Sequence, residues 1–423
     1  MVFMDIVGKI KDTYREEYRK HPVFTVFVTI VFIFFLEFVL GAIITGGESI
    51  TGMFWHEADR TLSDYFESIA DSHNLPYTSG VIYPPLVTLM YMVIGHFTMP
   101  FADTSGGDPL WYALRNSQMG IMSFMVITLV TFFAIRWIIS KIAKDKIPYV
   151  DILFIIIVFS HPFMYALERG NNILLAILFC FIFLAGYRSE NKYIRYLSYI
   201  SLGCATGFKI YPALLGLLIL RNRNYRHAAE CMLAIVAAMF LPFLLTDGNP
   251  LMLLENISAH IGTVSGDVHG FINLDQLVHV IFQSSLASDT VDLISYAVII
   301  SMTFLSMIVV LFDRQMKYWK VVALVMFNII LGPGVGTFYL LGYVAIPAVY
   351  MLISEKDLTK ENLFFVACFA GVLSLMAVPQ GIISSARATL VILMTLYILV
   401  EGLRRLYREW KDKKMCSVEE RAD

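Results

Sequence analysis

The chain has 423 residues, of which 58% are hydrophobic and only 16% charged, and its net charge is −2. Ordinary soluble domains carry about 25% charged residues, so these proportions exclude a soluble globular enzyme and a disordered chain, and the lack of a basic excess excludes a nucleic-acid partner. What remains is an all-α polytopic membrane protein, in which the positions of the 32 lysines and arginines report topology.

In chain order, the charge-rich residues 1–22 precede a first apolar run, Val23 to Ile44. That run is long enough to span and lacks a convincing cleavage site, so it reads as a signal anchor. Further apolar segments fall near 81–98, 117–136, 148–166, 171–187, 193–221, 228–246, 290–312, 319–331, 338–353, 361–379 and 386–403. A crossing needs roughly 20 apolar residues. The 193–221 stretch is too long for one, and it is interrupted at Phe208-Lys209-Ile210-Tyr211-Pro212, so two crossings with Lys209 at their outer turn are expected. The 81–98 segment is short and opens on Tyr83-Pro84-Pro85, which predicts a re-entrant hairpin rather than a full crossing.

With those two readings, the basic clusters at 9–20, 136–146, 188–195, 221–226, 314–320, 356–360 and 404–421 all fall on the inner side. The expected architecture is one integral membrane domain, 1–423, with about twelve transmembrane helices and both termini cytoplasmic. Residues 1–22 and 404–423 form the cytoplasmic ends, 46–116 the first outer loop and 247–289 the second. Five cations are left on the outer side: Arg60, Arg115, Arg169, Lys209 and Arg387. Loop solubility suffices for Arg60 and Arg115, and Arg169 has a local partner in Glu168. Lys209, recessed between two Gly/Pro-interrupted segments, points to function.

The outer loops exceed the 12–15 residues beyond which loops tend to be functional or disordered, and they are rich in aromatics. Trp55, Tyr65, Phe66, Tyr77 and Tyr83 occur in the first, with the acids Glu57, Asp59, Asp64, Glu67 and Asp71. Leu62, Tyr65, Phe66 and Ile69 recur at helical spacing, which predicts a short amphipathic helix on the membrane face with Asp64 and Glu67 on one edge. The second loop holds His260, Asp267, His269, Asn273, Asp275 and Gln276, and Gly262, Gly266 and Gly270 make it pliable enough for a flap. His260 and His269 stand without other ligand-spaced residues, so no metal site is expected. Nor does a Walker motif, a Gly-rich nucleotide loop or a DxD sequence occur, so no cofactor and no nucleotide-sugar donor is implied. Cys180, Cys204, Cys231 and Cys368 lie in apolar runs and Cys416 in the basic tail, without a disulfide pattern.

Several motifs then occur in a telling order: Asp64-Tyr65-Phe66, Pro76-Tyr77, Tyr83-Pro84-Pro85-Leu86, Glu168-Arg169-Gly170-Asn171-Asn172, and Gly203-x-Ala205-x-Gly207-Phe208-Lys209-x-Tyr211-Pro212 followed by Arg221-Asn222-Arg223. Over about residues 20–280 the chain resembles glycosyltransferase family 87, a GT-C group that includes α-mannosyltransferases using polyprenol-phosphate mannose. The C-terminal third is similar only in being hydrophobic and helical. The resemblance implies a GT-C-like fold in the plasma (inner) membrane and a role in building the cell envelope. It implies inverting transfer of a hexose, mannose or a relative, from a polyprenol-phosphate donor to a lipid- or glycan-linked acceptor on the outer face. Asp64, with Asp59 as alternate, is then the general base. Lys209, followed by Arg169, Arg60, Arg387 and Tyr83, is expected to hold the donor phosphate. Tyr77, Glu168, Asn171, His260, His269 and Asn273 are expected to meet acceptor or sugar. A flippase or transporter of lipid-linked sugars, or a polymerase, is the rival reading. A transporter predicts internal repeats and midplane polar residues, and a polymerase predicts arginine-rich outer loops.

Overall fold

A computed structural model describes residues 2–51, 60–74, 81–144, 150–246, 250–264, 271–282, 284–332, 338–378 and 380–419. All regular structure among the described residues is helical. Five helices among the described residues are long and apolar enough to cross a membrane: Pro22–Ile44, Gln118–Ala143, Tyr225–Leu245, Ser288–Phe312 and Ile382–Lys413. A sixth candidate is the pair Val150–Val158 and His161–Arg169, bent by 53° where Pro162 opens the second piece. The remaining apolar helices are shorter, so length and composition single out five or six spans where the charge pattern predicts about twelve. Phe32, Phe133, Leu233 and Phe304 on the long helices point outward, as lipid-facing side chains of an integral membrane protein do.

The break inside 193–221 falls at Lys209. The Lys192–Phe208 helix ends there in extended backbone, and a 3-10 turn, Tyr211–Gly216, leads into Leu217–Arg221. The segment after Tyr83 differs from its predicted hairpin. Pro84 caps and Pro85 opens a single helix, Pro85–Thr98, which tightens into a 3-10 turn at Met99–Phe101. Proline at a first helical position is favoured because its missing N–H has no intrahelical partner there.

One core cluster runs from Val23 to Leu399. It is densest along the Tyr318–Leu331 helix, where each residue from Trp319 to Leu331 is buried. Around it pack Ser288–Phe312, Phe338–Val344 with Ala345–Ser354, and the long Gln380–Glu419 helix. At the N-terminal end of this central helix, charge is buried and compensated. The Lys320 ammonium, almost fully buried, pairs with Glu361 and, at 2.5 Å, with Glu401. Arg405 joins Glu401 to the fully buried Asp313, 2.8 Å away. Glu355 accepts from Lys317 at 2.8 Å, Trp319 Nε1 at 2.7 Å and Asn362 at 3.1 Å.

Removing one partner from a buried ion pair leaves the other charge uncompensated, at a cost of about 3–5 kcal/mol. Lys320→Ala therefore lowers the thermal unfolding midpoint of the purified protein steeply, and adding Glu361→Gln and Glu401→Gln recovers part of the loss.

Candidate active site

The Ser63–Asn74 helix presents Tyr65, Phe66 and Ile69 on one face, and all three are buried. The Tyr65 ring meets Tyr91 and Phe124 edge-on, with centroids 5.6 and 5.3 Å away, and its hydroxyl lies 3.0 Å from Ser123 Oγ. The amphipathic helix that the spacing predicts is thus present, with its apolar face turned to neighbouring helices. Leu62, ahead of it, holds a left-handed φ of 60°, uncommon for a branched residue. Its N–H donates to the Glu168 carbonyl at 2.7 Å, which fixes that conformation.

So placed, the largely buried Asp64 carboxylate is gripped at both oxygens. Arg169 Nη2 donates to Oδ1 at 2.6 Å, and Asn171 Nδ2 donates to Oδ2 at 2.7 Å. Both donors flank Gly170, whose φ of 67° ends the His161–Arg169 helix. The Gly170 N–H bonds to the Leu167 carbonyl at 3.0 Å and the Asn171 N–H to Ala166 at 2.8 Å, a Schellman ending. A Cβ on Gly170 would lie 2.8 Å from Tyr65 Cβ. Only glycine meets both demands, so Glu168-Arg169-Gly170-Asn171-Asn172 is a turn that lets one helix end reach a carboxylate on another.

Lys209 lies close by and is 8% exposed. Its ammonium sits 4.5 Å from the Tyr83 ring centroid and 5.3 Å from that of Tyr339, within cation–π range. Among the described residues it has no hydrogen bond or ion pair, although the Asp64 charge acts on both Lys209 and Tyr83. The small residues before it explain the approach. A Cβ on Gly207 would fall 2.7 Å from Leu86, and one on Gly203 would fall 2.6 Å from the Ala234 carbonyl. The Lys192–Phe208 helix can therefore press against Tyr83-Pro84-Pro85-Leu86 on one side and Tyr225–Phe240 on the other. Tyr339 escapes the sequence reading. Its one available signal is the Gly/Pro-rich interruption beginning at Gly332, just ahead of Phe338-Tyr339.

Other sequence candidates have contacts of their own. Arg387 is fully buried, but its nitrogens serve the fold. Nε donates to Gly371 O at 3.3 Å, Nη1 to His161 Nδ1 at 2.5 Å, and Nη2 to Ser374 O. It thus caps the end of the Lys360–Leu373 helix with a positive charge, its guanidinium lying 5.3 Å from the Phe338 centroid. Exposed Arg60 pairs with Glu67 at 3.3 Å. Burial pushes the Glu67 carboxyl up, and Arg60 draws it back. Arg115 lies over Trp111 and Tyr112. Glu168 contributes its backbone carbonyl, to Leu62.

Among its described residues the second loop holds two helices, Pro250–Val264 and Leu274–Phe282; Gly266 and Gly270, on which the expected flap rests, lie outside those residues. Asn273 Oδ1 accepts the Gln276 N–H at 2.9 Å and Gln276 Oε1 accepts the Ile272 N–H at 2.8 Å, a local cap that starts the second helix. Asn256 Nδ2 donates to Val81 O at 3.1 Å, tying this loop to the segment that carries Tyr83. His260 belongs to the Pro250–Val264 helix, with its side chain outside the described residues, and Asp59, Tyr77 and His269 lie outside them altogether. No group of three or more His, Cys, Asp or Glu side chains able to hold a metal ion occurs among the described residues.

A family model, glycosyltransferase family 87, matches residues 81–379. The match takes in Tyr83, the Glu168–Asn172 turn, Lys209 and Tyr339, and it runs through the C-terminal core, well beyond the 20–280 stretch to which the motifs point. Asp64 precedes it. No curated protein and no solved structure matches the chain.

Replacing Gly170 by alanine forces a Cβ into a left-handed position, which costs about 1–2 kcal/mol, and presses it on Tyr65. Gly170→Ala therefore lowers the unfolding midpoint, whereas Gly106→Ala, whose Cβ meets only Asp108 Oδ2 at 3.9 Å, leaves it within about 1 °C.

Proposed function

The chain belongs to glycosyltransferase family 87 and is a membrane glycosyltransferase, and from that premise we propose that it transfers a hexose, mannose or a close relative, from a polyprenol-phosphate carrier. The acceptor is a lipid- or glycan-linked sugar, met on the outer face of the plasma membrane, with twelve crossings and both termini in the cytoplasm. The observation that carries this reading is a buried carboxylate, Asp64, set beside two cations of different kinds, Arg169 and Lys209.

The chemistry requires little more. An acceptor hydroxyl attacks the anomeric carbon as the bond from that carbon to the phosphate oxygen breaks. Asp64 takes the hydroxyl proton, and the polyprenyl phosphate departs carrying the bonding pair and one more negative charge than it had as a diester. Lys209 offsets that charge from between its two tyrosine rings, where few competing ligands reach it, and Arg169 adds a planar donor fork. Inversion follows from a single displacement, because no second carboxylate is needed as a nucleophile. Tyr83 sets the height of the ammonium. Tyr77, His260 and His269, from the two outer loops, are proposed to meet the acceptor. Arg387, committed to His161 and two carbonyls, drops out of the phosphate site in this reading.

The reading is tested with purified protein in lipid and radiolabelled polyprenol-phosphate mannose. Asp64→Asn is expected to reduce transfer by about 10²–10⁴-fold and Lys209→Ala by about 10²–10³-fold, while Glu67→Gln stays within a few-fold of wild type. Full activity in both site variants overturns the assignment. Wild-type protein that transfers no sugar but moves lipid-linked sugars between leaflets of vesicles is a flippase instead.

A further inference from the structure

The displacement described above uses Asp64 but gives no task to the group on its second oxygen. Asn171 is 4% exposed, and its amide is held at both ends. Oδ1 accepts the Ile173 N–H at 3.0 Å, at the start of the Ile173–Gly186 helix, and Nδ2 donates to Asp64 Oδ2 at 2.7 Å. These two bonds settle which way the amide faces. A flipped amide would set NH₂ against an N–H and a carbonyl oxygen against a carboxylate. The backbone is fixed as well, through the Asn171 N–H bond to Ala166 one residue past the left-handed Gly170. A side chain so committed has little freedom to follow a sugar hydroxyl.

We infer that Asn171 is a positioning residue for the base: it holds the Asp64 carboxylate in one orientation, and it is not a sugar ligand. The inference rests on the reading of Asp64 as general base. A hydrogen bond to a carboxylate is roughly twice as strong as one to a neutral acceptor, so Asn171 holds Asp64 hardest before it takes the acceptor proton. Asn171 cannot turn away to relax, because Ile173 pins its other half. The bond therefore weakens during transfer and recovers on release of the proton, which resets the base. Arg169 alone would leave the carboxylate free to swing about a single contact. The charged and titratable groups facing Asp64 are Arg169, Lys209, Tyr83 and Tyr91, with Glu67 on its own helix. All of them are retained in the variants below.

The test is steady-state transfer from polyprenol-phosphate mannose, measured for wild type, Asn171→Ala and Asn171→Asp. Loss of the donor is expected to reduce kcat by about 10–100-fold while acceptor KM stays within about twofold. A carboxylate at 171, which repels Asp64 where the amide holds it, reduces kcat further. A tenfold rise in acceptor KM with kcat unchanged overturns the inference in favour of sugar binding. A lower unfolding midpoint with kcat and KM both unchanged overturns it in favour of a mere helix cap. A thermal-unfolding double-mutant cycle of Asp64→Asn and Asn171→Ala needs no substrate, and coupled midpoints are expected. Coupled midpoints in a protein that transfers nothing overturn the transferase reading, and base positioning with it. Additive midpoints in an active enzyme whose kcat Asn171→Ala leaves unchanged overturn the inference alone.

Discussion

A carboxylate taken out of water must find positive charge or donors, and the buried Asp64 finds both in one turn of another helix. That requirement organises the site. To supply Arg169 and Asn171 on either side of a left-handed residue, the His161–Arg169 helix must end at Gly170, and Tyr65 must pack where any side chain at 170 would stand. The strained Leu62 backbone is tied to the same turn through Glu168. The Ser63–Asn74 helix is therefore positioned by its own charge as much as by its apolar face.

The protein deals with its buried cations in three ways. Lys320 and Arg405 are neutralised by carboxylates, and in that form they join the helices around the central pillar. Arg387 is met by a neutral histidine and by carbonyls at a helix end. Lys209 faces two aromatic rings, whose attraction is weaker than an ion pair and leaves its N–H donors uncommitted among the described residues. A cation that serves only the fold is well served by the first two solutions. The third suits one that must receive an anion and let it go.

Much of this was legible in the sequence, for identifiable reasons. The period of Leu62, Tyr65, Phe66 and Ile69 locates the helix that carries Asp64, and the Lys209-Ile210 interruption marks a chain break, because local backbone chemistry determines both. Charge balance isolates Lys209 as the cation without a cheap explanation. What stayed hidden depends on contacts between distant segments. Asp64 and Arg169 are 105 positions apart, Arg387 and His161 are 226 apart, and no pattern within one chain announces either. The polarity of Asn171 is visible in the sequence, whereas its partner Asp64 is 107 positions away and is not. The Tyr83-Pro84-Pro85 opening looked like a hairpin because a short apolar segment says how far a helix reaches, not which neighbours receive it. The C-terminal third seemed featureless because a helix buried on every side has no polar face to betray its place.

That fully buried helix has a geometric consequence. Tyr318–Leu331 has 14 residues, as does Ile173–Gly186, so each rises about 21 Å, some 9 Å less than the hydrocarbon thickness of a bilayer. The outer helices of 23 to 26 residues, such as Pro22–Ile44 and Gln118–Ala143, have no such shortfall. The depth that these short helices do not cover falls to the turns at their ends, Asn171-Asn172 ahead of one and Gly332 after the other.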